Sequence, residues 1–197
     1  MHISEGVLSA PVIFTGVALT FGGTAIGLKK LDYERISQVG ILSSAFFIAS
    51  LIHVNVGVSS THLILNGVLG LLLGWAAFPA ILVALTLQSI FFQYGGMTAL
   101  GMNTFNMAFP AVICFYLFKP FIMQKHSISM AASFACGFFA VLGVAVLLGI
   151  SLIFTEENFW EVSSLIIFAH IPVMIIEGII TAFCVSFLRK VSPEMLL

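Results

Sequence analysis

Long apolar runs alternate along this chain with short polar breaks. One run lies between Glu5 and Lys29, another between Arg35 and His53, and a third, His62 to Tyr94, holds no formal charge beyond any on His62. About 20 residues of helix cover a hydrocarbon core about 30 Å thick, so such runs predict membrane-crossing helices. The His62–Tyr94 run would make about 50 Å of continuous helix, too long for one crossing. Gly74-Trp75 and Pro79 offer a break, and the run divides there into two short spans. The pattern predicts seven spans, about 7–28, 38–56, 62–78, 79–94, 104–123, 130–154 and 162–188, behind a loop at 1–6 and within one domain over 1–197. The weaker alternation of an outer-membrane barrel is absent.

Charge placement selects this count. Lys29, Lys30 and Arg35 follow the first span, Lys119 and Lys125 the fifth, Arg189 and Lys190 the seventh. All three groups fall on one side only if 62–94 crosses twice, and the excess of Lys and Arg makes that side cytoplasmic. The expected fold is an all-α integral membrane protein with its N-terminus outside and its C-terminus cytoplasmic. The expected location is a bacterial-type inner membrane.

Composition agrees. Only 8% of residues are charged and 60% are apolar, against about 25% charged in soluble domains. No basic tract points to nucleic acid. Cys114, Cys136 and Cys184 lie inside apolar runs without metal-type spacing and read as small buried hydrophobes. The positive region of a signal peptide is missing, so the first run is expected to stay attached with its original terminus. Neither a GxxxxGK[ST] phosphate loop nor an HExxH motif is present, and no inverted repeat is visible. The chain is expected to bind no ATP through such a phosphate loop, so if a metal is captured here the energy must come from another subunit.

The candidate chemistry begins at Met1-His2. A free terminal amine, the His2 amide nitrogen and the His2 imidazole are adjacent nitrogen donors that close two small chelate rings. This set suits ions accepting planar nitrogen coordination, such as Ni(II), Cu(II) or nitrogen-bound Co(II). The topology puts His62 and the Gly-rich loop 95–103 on the same outer face. His62 is expected to open the third span, capped by Ser59, Ser60 or Thr61. His53 is a candidate further ligand or a group orienting an imidazole, and simple packing explains it equally well. His170, two residues before Pro172, is at most such an orienting group. His126 is expected in solvent. Glu177 is the only carboxylate inside a span, about 20 Å below the outer end. That is too deep to share a ligand site with Met1-His2, and it should pair across the bundle or face a partner protein. Asn103, Asn106, Gln88 and Gln93 are neutral polar groups near the outer loop, available to a ligand shell or as interhelical glue.

Several blocks resemble a known family. Met1-His2-Ile3-Ser4-Glu5-Gly6-Val7-Leu8 is similar to the start of the cobalt/nickel-specific substrate-capture (S) subunits of energy-coupling-factor ABC transporters, the CbiM/NikM group. Ser59-Ser60-Thr61-His62-Leu63, the loop from Gly95 through Asn103 to Ala108, and His170-Ile171-Pro172 through Glu177-Gly178 to Phe183 resemble it too. The resemblance implies a seven-helix subunit that holds Co(II) or Ni(II) as transported substrate, with no permanent cofactor. By position, the implied ligands are the Met1 amine, the His2 amide and imidazole nitrogens, and the His62 ring, with Asn103 in the surrounding motif. It also implies a transmembrane coupling (T) subunit, two cytoplasmic ATPase subunits and a small accessory membrane subunit. Two rival readings are an autonomous metal channel or secondary carrier, and an intramembrane enzyme using His62, His170 and Glu177. The depth of Glu177 ranks the enzyme last.

Overall fold

Uncharged sequence in a bilayer must satisfy its own main chain, and helix does so locally. The computed structural model describes residues 2–56, 59–156 and 160–196, and for 53–56, 59–61 and 160 the main chain alone. Seven α-helices are described: α1 Ala10–Lys29, α2 Ile36–Ala49, α3 Asn66–Leu73, α4 Ala77–Phe92, α5 Leu100–Ile122, α6 His126–Ile153 and α7 Trp160–Val191. Pro11 lies in the first turn of α1, where its missing N–H costs nothing. The Asp32 carboxylate accepts the Glu34 N–H at 3.0 Å and shapes the turn into α2.

Five apolar stretches are long enough to cross a membrane: α1, the Asn66–Phe92 run, α5, α6 and Glu161–Val191 of α7. Two of the expected spans differ. The second, expected over 38–56, is helical only to Ala49. The third, expected over 62–78, contains an eight-residue helix, about 12 Å long. The fold is helical as expected, with one small addition between these two spans, a β-hairpin of β1 His53–Val56 and β2 Ser59–His62. Ser59, Ser60, Thr61 and His62 therefore belong to a strand, and none of them caps α3. The strand pairs antiparallel, with His53 opposite His62 and Val54 opposite Thr61.

The expected break in the 62–94 run lies where the sequence placed it. A single 3-10 turn, Gly74–Ala76, separates α3 from α4. Residue by residue α3 follows α5 in the same direction. Asn66 Nδ2 donates to the Met107 carbonyl at 3.5 Å, Gly70 packs on Ala111, and Gly74 faces the Phe115 ring. After the turn α4 runs back, and Tyr94, just beyond its end, returns beside His2. Helices α3, α6 and α7 meet at one tight crossing, where a Cβ on Gly67 would lie 2.7 Å from the Gly137 Cα and 3.2 Å from Thr181 Oγ1. The main core lies around this crossing, with Phe46, Leu69, Phe78, Ile81, Leu85, Met107, Val141 and Met174 buried in it.

Cations collect where α3 ends. Arg35 Nη2 donates to the Leu72 carbonyl and Lys119 Nζ to the Leu71 carbonyl, each at 3.3 Å. Lys30 Nζ lies 5.7 Å from the centre of the Trp75 ring. Positive charge at a helix C-terminus complements the unsatisfied carbonyls there. The α3–α6 approach is expected to tolerate no methyl group. Gly67→Ala should destabilise the bundle by about 1–3 kcal/mol, read as a lower thermal unfolding midpoint in detergent. An unchanged midpoint would contradict the packing described.

Candidate metal site

His62 ends β2, and the chain then descends toward α3 as non-helical backbone. Its ring is 3% exposed. The Nδ1 atom lies 2.9 Å from the Leu63 carbonyl oxygen. A carbonyl only accepts, so Nδ1 donates there, which leaves Nε2 as the ring nitrogen directed at His2. That Nε2 lies 3.1 Å from Nδ1 of His2, and the two rings stack with centres 4.7 Å apart. The tilted ring of Tyr94 stands 6.0 Å from the His2 ring. Two imidazoles sixty residues apart in sequence are thus brought together on facing nitrogen atoms.

The terminal segment reaches His62 because it is pinned by both main chain and side chain. Asn103, near the start of α5, accepts the Ile3 N–H at 2.9 Å through Oδ1 and donates Nδ2 to the Ile3 carbonyl at 3.0 Å. This two-point pairing fixes the main chain immediately after His2. Ile3 and Leu8 are buried against Val12, Ala99, Met102, Leu148 and Leu152. Further along, the Ser9 N–H donates to Thr155 Oγ1 at 3.4 Å. Gly95 and Gly96 both take φ +75° in the loop between α4 and α5. A Cβ on Gly95 would lie 2.7 Å from Asn103 Nδ2, and one on Gly96 would lie 2.6 Å from the Glu5 Cβ. Glycine is needed there for the backbone conformation and for the room it leaves the terminal segment.

The remaining candidates separate clearly. Met1 lies outside the described residues. The main chain of His53 stands opposite His62 in the hairpin, and its side chain lies outside the description. His170 is buried in α7 and donates Nδ1 to the Ile166 carbonyl at 2.6 Å, while its Nε2 has no hydrogen-bond partner among the described residues. Asn106 pairs with Ser151, its Nδ2 donating to Oγ at 3.2 Å. Gln88 is fully buried, with neither amide atom hydrogen-bonded among the described residues. Gln93 ends α4 with φ +57°. His126 is exposed at the start of α6. Cys114 and Cys136 are buried free thiols, and Cys184 is half-buried.

Glu177 is fully buried and pairs across the bundle with main chain. Its Oε1 accepts the Ile64 N–H at 2.6 Å and the Leu65 N–H at 2.9 Å. Helix rise alone separated this carboxylate from the outer histidines. The descent of residues 63–65 brings the His62 segment down to it. Thr155 and Tyr94 are contacts that sequence reading did not single out. An isolated hydroxyl or aromatic near a membrane interface carries no pattern that would have marked them.

The Asn103 clasp has a measurable consequence. Asn103→Leu removes both hydrogen bonds to Ile3 and leaves its main chain unpaired, a local cost of roughly 1–3 kcal/mol. Amide hydrogen exchange across residues 2–8 should quicken by roughly ten- to hundredfold. Exchange at the wild-type rate would show that the clasp does not hold the segment.

Comparison with known proteins places this arrangement. Residues 2–195 match the family described as CbiM, cobalt uptake substrate-specific transmembrane region. A Haemophilus influenzae protein provisionally named a metal transport protein is 41% identical over 199 residues, covering 100% of this chain and 97% of that protein. The fused nickel transport protein NikMN of Rhodobacter capsulatus is 31% identical, with all of this chain and 64% of that protein covered. The cobalt transport protein CbiM of Kyrpidia tusciae is 29% identical, over 100% and 86% of the two chains. A crystal structure of a truncated transition metal transporter superposes with a TM-score of 0.74 at 28% identity, covering 96% of this chain and 99% of that one. The chain is a multi-pass membrane protein that belongs to the CbiM/NikM family of cobalt and nickel transport proteins.

Proposed function

We propose that this chain is the substrate-capture subunit of an ATP-driven cobalt or nickel uptake transporter, binding Co(II) or Ni(II) as cargo at its N-terminal segment. The observation that carries the reading is the facing of His62 Nε2 and His2 Nδ1 at 3.1 Å. With metal–nitrogen bonds of about 2.0–2.1 Å, adjacent corners of a square lie about 2.8–3.0 Å apart. The two nitrogens are thus spaced as neighbouring ligands of one planar ion. Among the described residues no group of three or more His, Cys, Asp or Glu side chains gathers. The His2 amide nitrogen and the Met1 amine, adjacent donors in the chelate motif, would complete a four-nitrogen square of the kind Ni(II) and Co(II) accept.

The distribution of charge between the two ends of the molecule supports a membrane orientation. His2, His62 and the Gly-rich loop occupy one end, and Lys30, Arg35 and Lys119 gather at the other, around the end of α3. The positive-inside rule makes the basic end cytoplasmic. On this reading the site and the N-terminus would lie outside and the C-terminus inside, with the hairpin and α3 together as one of seven crossings. The chain carries no phosphate-binding loop of its own. Energy would come from two cytoplasmic ATPase subunits through a transmembrane coupling subunit, with a small accessory membrane subunit. The whole would stand in the inner membrane of a bacterial-type cell.

Metal replaces protons at this site. In the metal-free pair a proton bridges or occupies the facing nitrogens, and the amide and amine are also protonated. Nickel affinity of the purified chain should therefore fall steadily as the pH is lowered below neutrality. Extending the N-terminus with a tag, or substituting His2→Ala, should abolish nickel and cobalt binding while leaving the unfolding midpoint in place. A tagged chain that binds either ion with unchanged affinity in calorimetry would sink the proposal.

A further inference from the structure

We propose that Glu177 is a positioning residue of the metal site, holding the segment that carries His62 in the place where its Nε2 meets His2. The inference rests on the site reading above and goes beyond it by assigning the deep carboxylate of α7 a part in metal capture.

The path from the carboxylate to the ring is short and wholly main chain. Glu177 Oε1 accepts the N–H groups of Ile64 and Leu65, and the ring of His62 is fixed by its bond to the carbonyl of Leu63. Upstream, the Leu63 N–H donates to the Ile52 carbonyl at 3.2 Å. The four residues from His62 to Leu65 are therefore held from the hairpin on one side and from α7 on the other. They cannot shift toward or away from His2 without breaking a hydrogen bond in a region without water, where such a loss is expensive.

The local backbone is also strained. Leu65 sits at φ +52°, a left-handed conformation that a leucine rarely adopts and that persists only where its surroundings over-determine it. A carboxylate accepting the N–H of that residue is such a determinant. The carboxylate itself is costly in place, because it is fully buried and its Oε2 has no hydrogen-bond partner among the described residues. A packed apolar residue would serve the bundle at lower cost, whereas no apolar residue accepts two N–H groups. The Glu177 side chain thus does something that packing alone does not require.

Reach separates this role from a general structural one. Gln at 177 keeps the length and one oxygen able to accept both N–H groups. Asp keeps the charge but is shorter by one methylene and cannot reach both without pulling the His62 segment inward. The test uses the full chain in detergent with Ni(II) alone, comparing wild type, His62→Ala, Glu177→Gln and Glu177→Asp by calorimetry and by the visible absorption of bound nickel, which reports the number of nitrogen ligands. Glu177→Asp should bind nickel roughly ten- to hundredfold more weakly, with its spectrum displaced toward that of His62→Ala. Glu177→Gln should retain the wild-type spectrum. A shift of both variants toward the His62→Ala spectrum would overturn the proposal, because a general structural role predicts the same loss in both. Wild-type affinity and spectrum in Glu177→Asp would overturn it, and so would weakened binding with a wild-type spectrum. If wild type binds no nickel, or if His62→Ala binds as wild type does, the site reading itself falls and the role of Glu177 with it. Controls of the last kind keep the two failures apart.

Discussion

Main chain that leaves the helix inside a membrane has to find its hydrogen bonds within the protein, because no water is there to complete them. This chain leaves the helix at Ser50 and resumes it at Asn66. The interval is satisfied piece by piece: by the pairing of β1 with β2, by the Leu63 to Ile52 bond, and finally by the carboxylate of Glu177. His62 lies in the middle of that sequence of bonds. Its position is therefore set by backbone partners on either side, more tightly than a side chain on a free loop would allow.

Helix α3 shows the same economy at its two ends. It is eight residues long and almost entirely buried. The Glu177 carboxyl meets the N–H groups of Ile64 and Leu65 just before its entry, and Arg35 and Lys119 meet the carbonyls at its exit. Positive charge at that exit complements the helix dipole. A helix too short to span the bilayer is thereby completed by the residues around it, and it carries the chain from His62 toward the basic face.

The terminal half of the site is assembled differently. Residues 2–8 form no helix or strand, and their order comes from Asn103, from the burial of Ile3 and Leu8, and from the space left by Gly95 and Gly96. Each hydrogen bond contributes about 0.5–1.5 kcal/mol, and burial of Ile3 and of Leu8 about 1.5–3 kcal/mol each.

Hydropathy alone determined much of this molecule. The uncharged runs marked α1, α4, α5, α6 and α7 closely, and the break near Gly74 was visible as a run too long for one crossing. Met1-His2 and His62 were nameable as nitrogen donors from residue type, and the motif around Asn103 from its resemblance to the family. Hydropathy reports burial, however, and burial does not say whether the backbone is helical. Ser59-Ser60-Thr61-His62 gave too short a pattern to declare a strand, so His62 was expected at a helix start and stands instead at a strand end. The partner of Glu177 was invisible for a deeper reason. It is two main-chain N–H groups, which every residue but proline possesses, and only the folded path of residues 63–65 selects which of them the carboxylate meets.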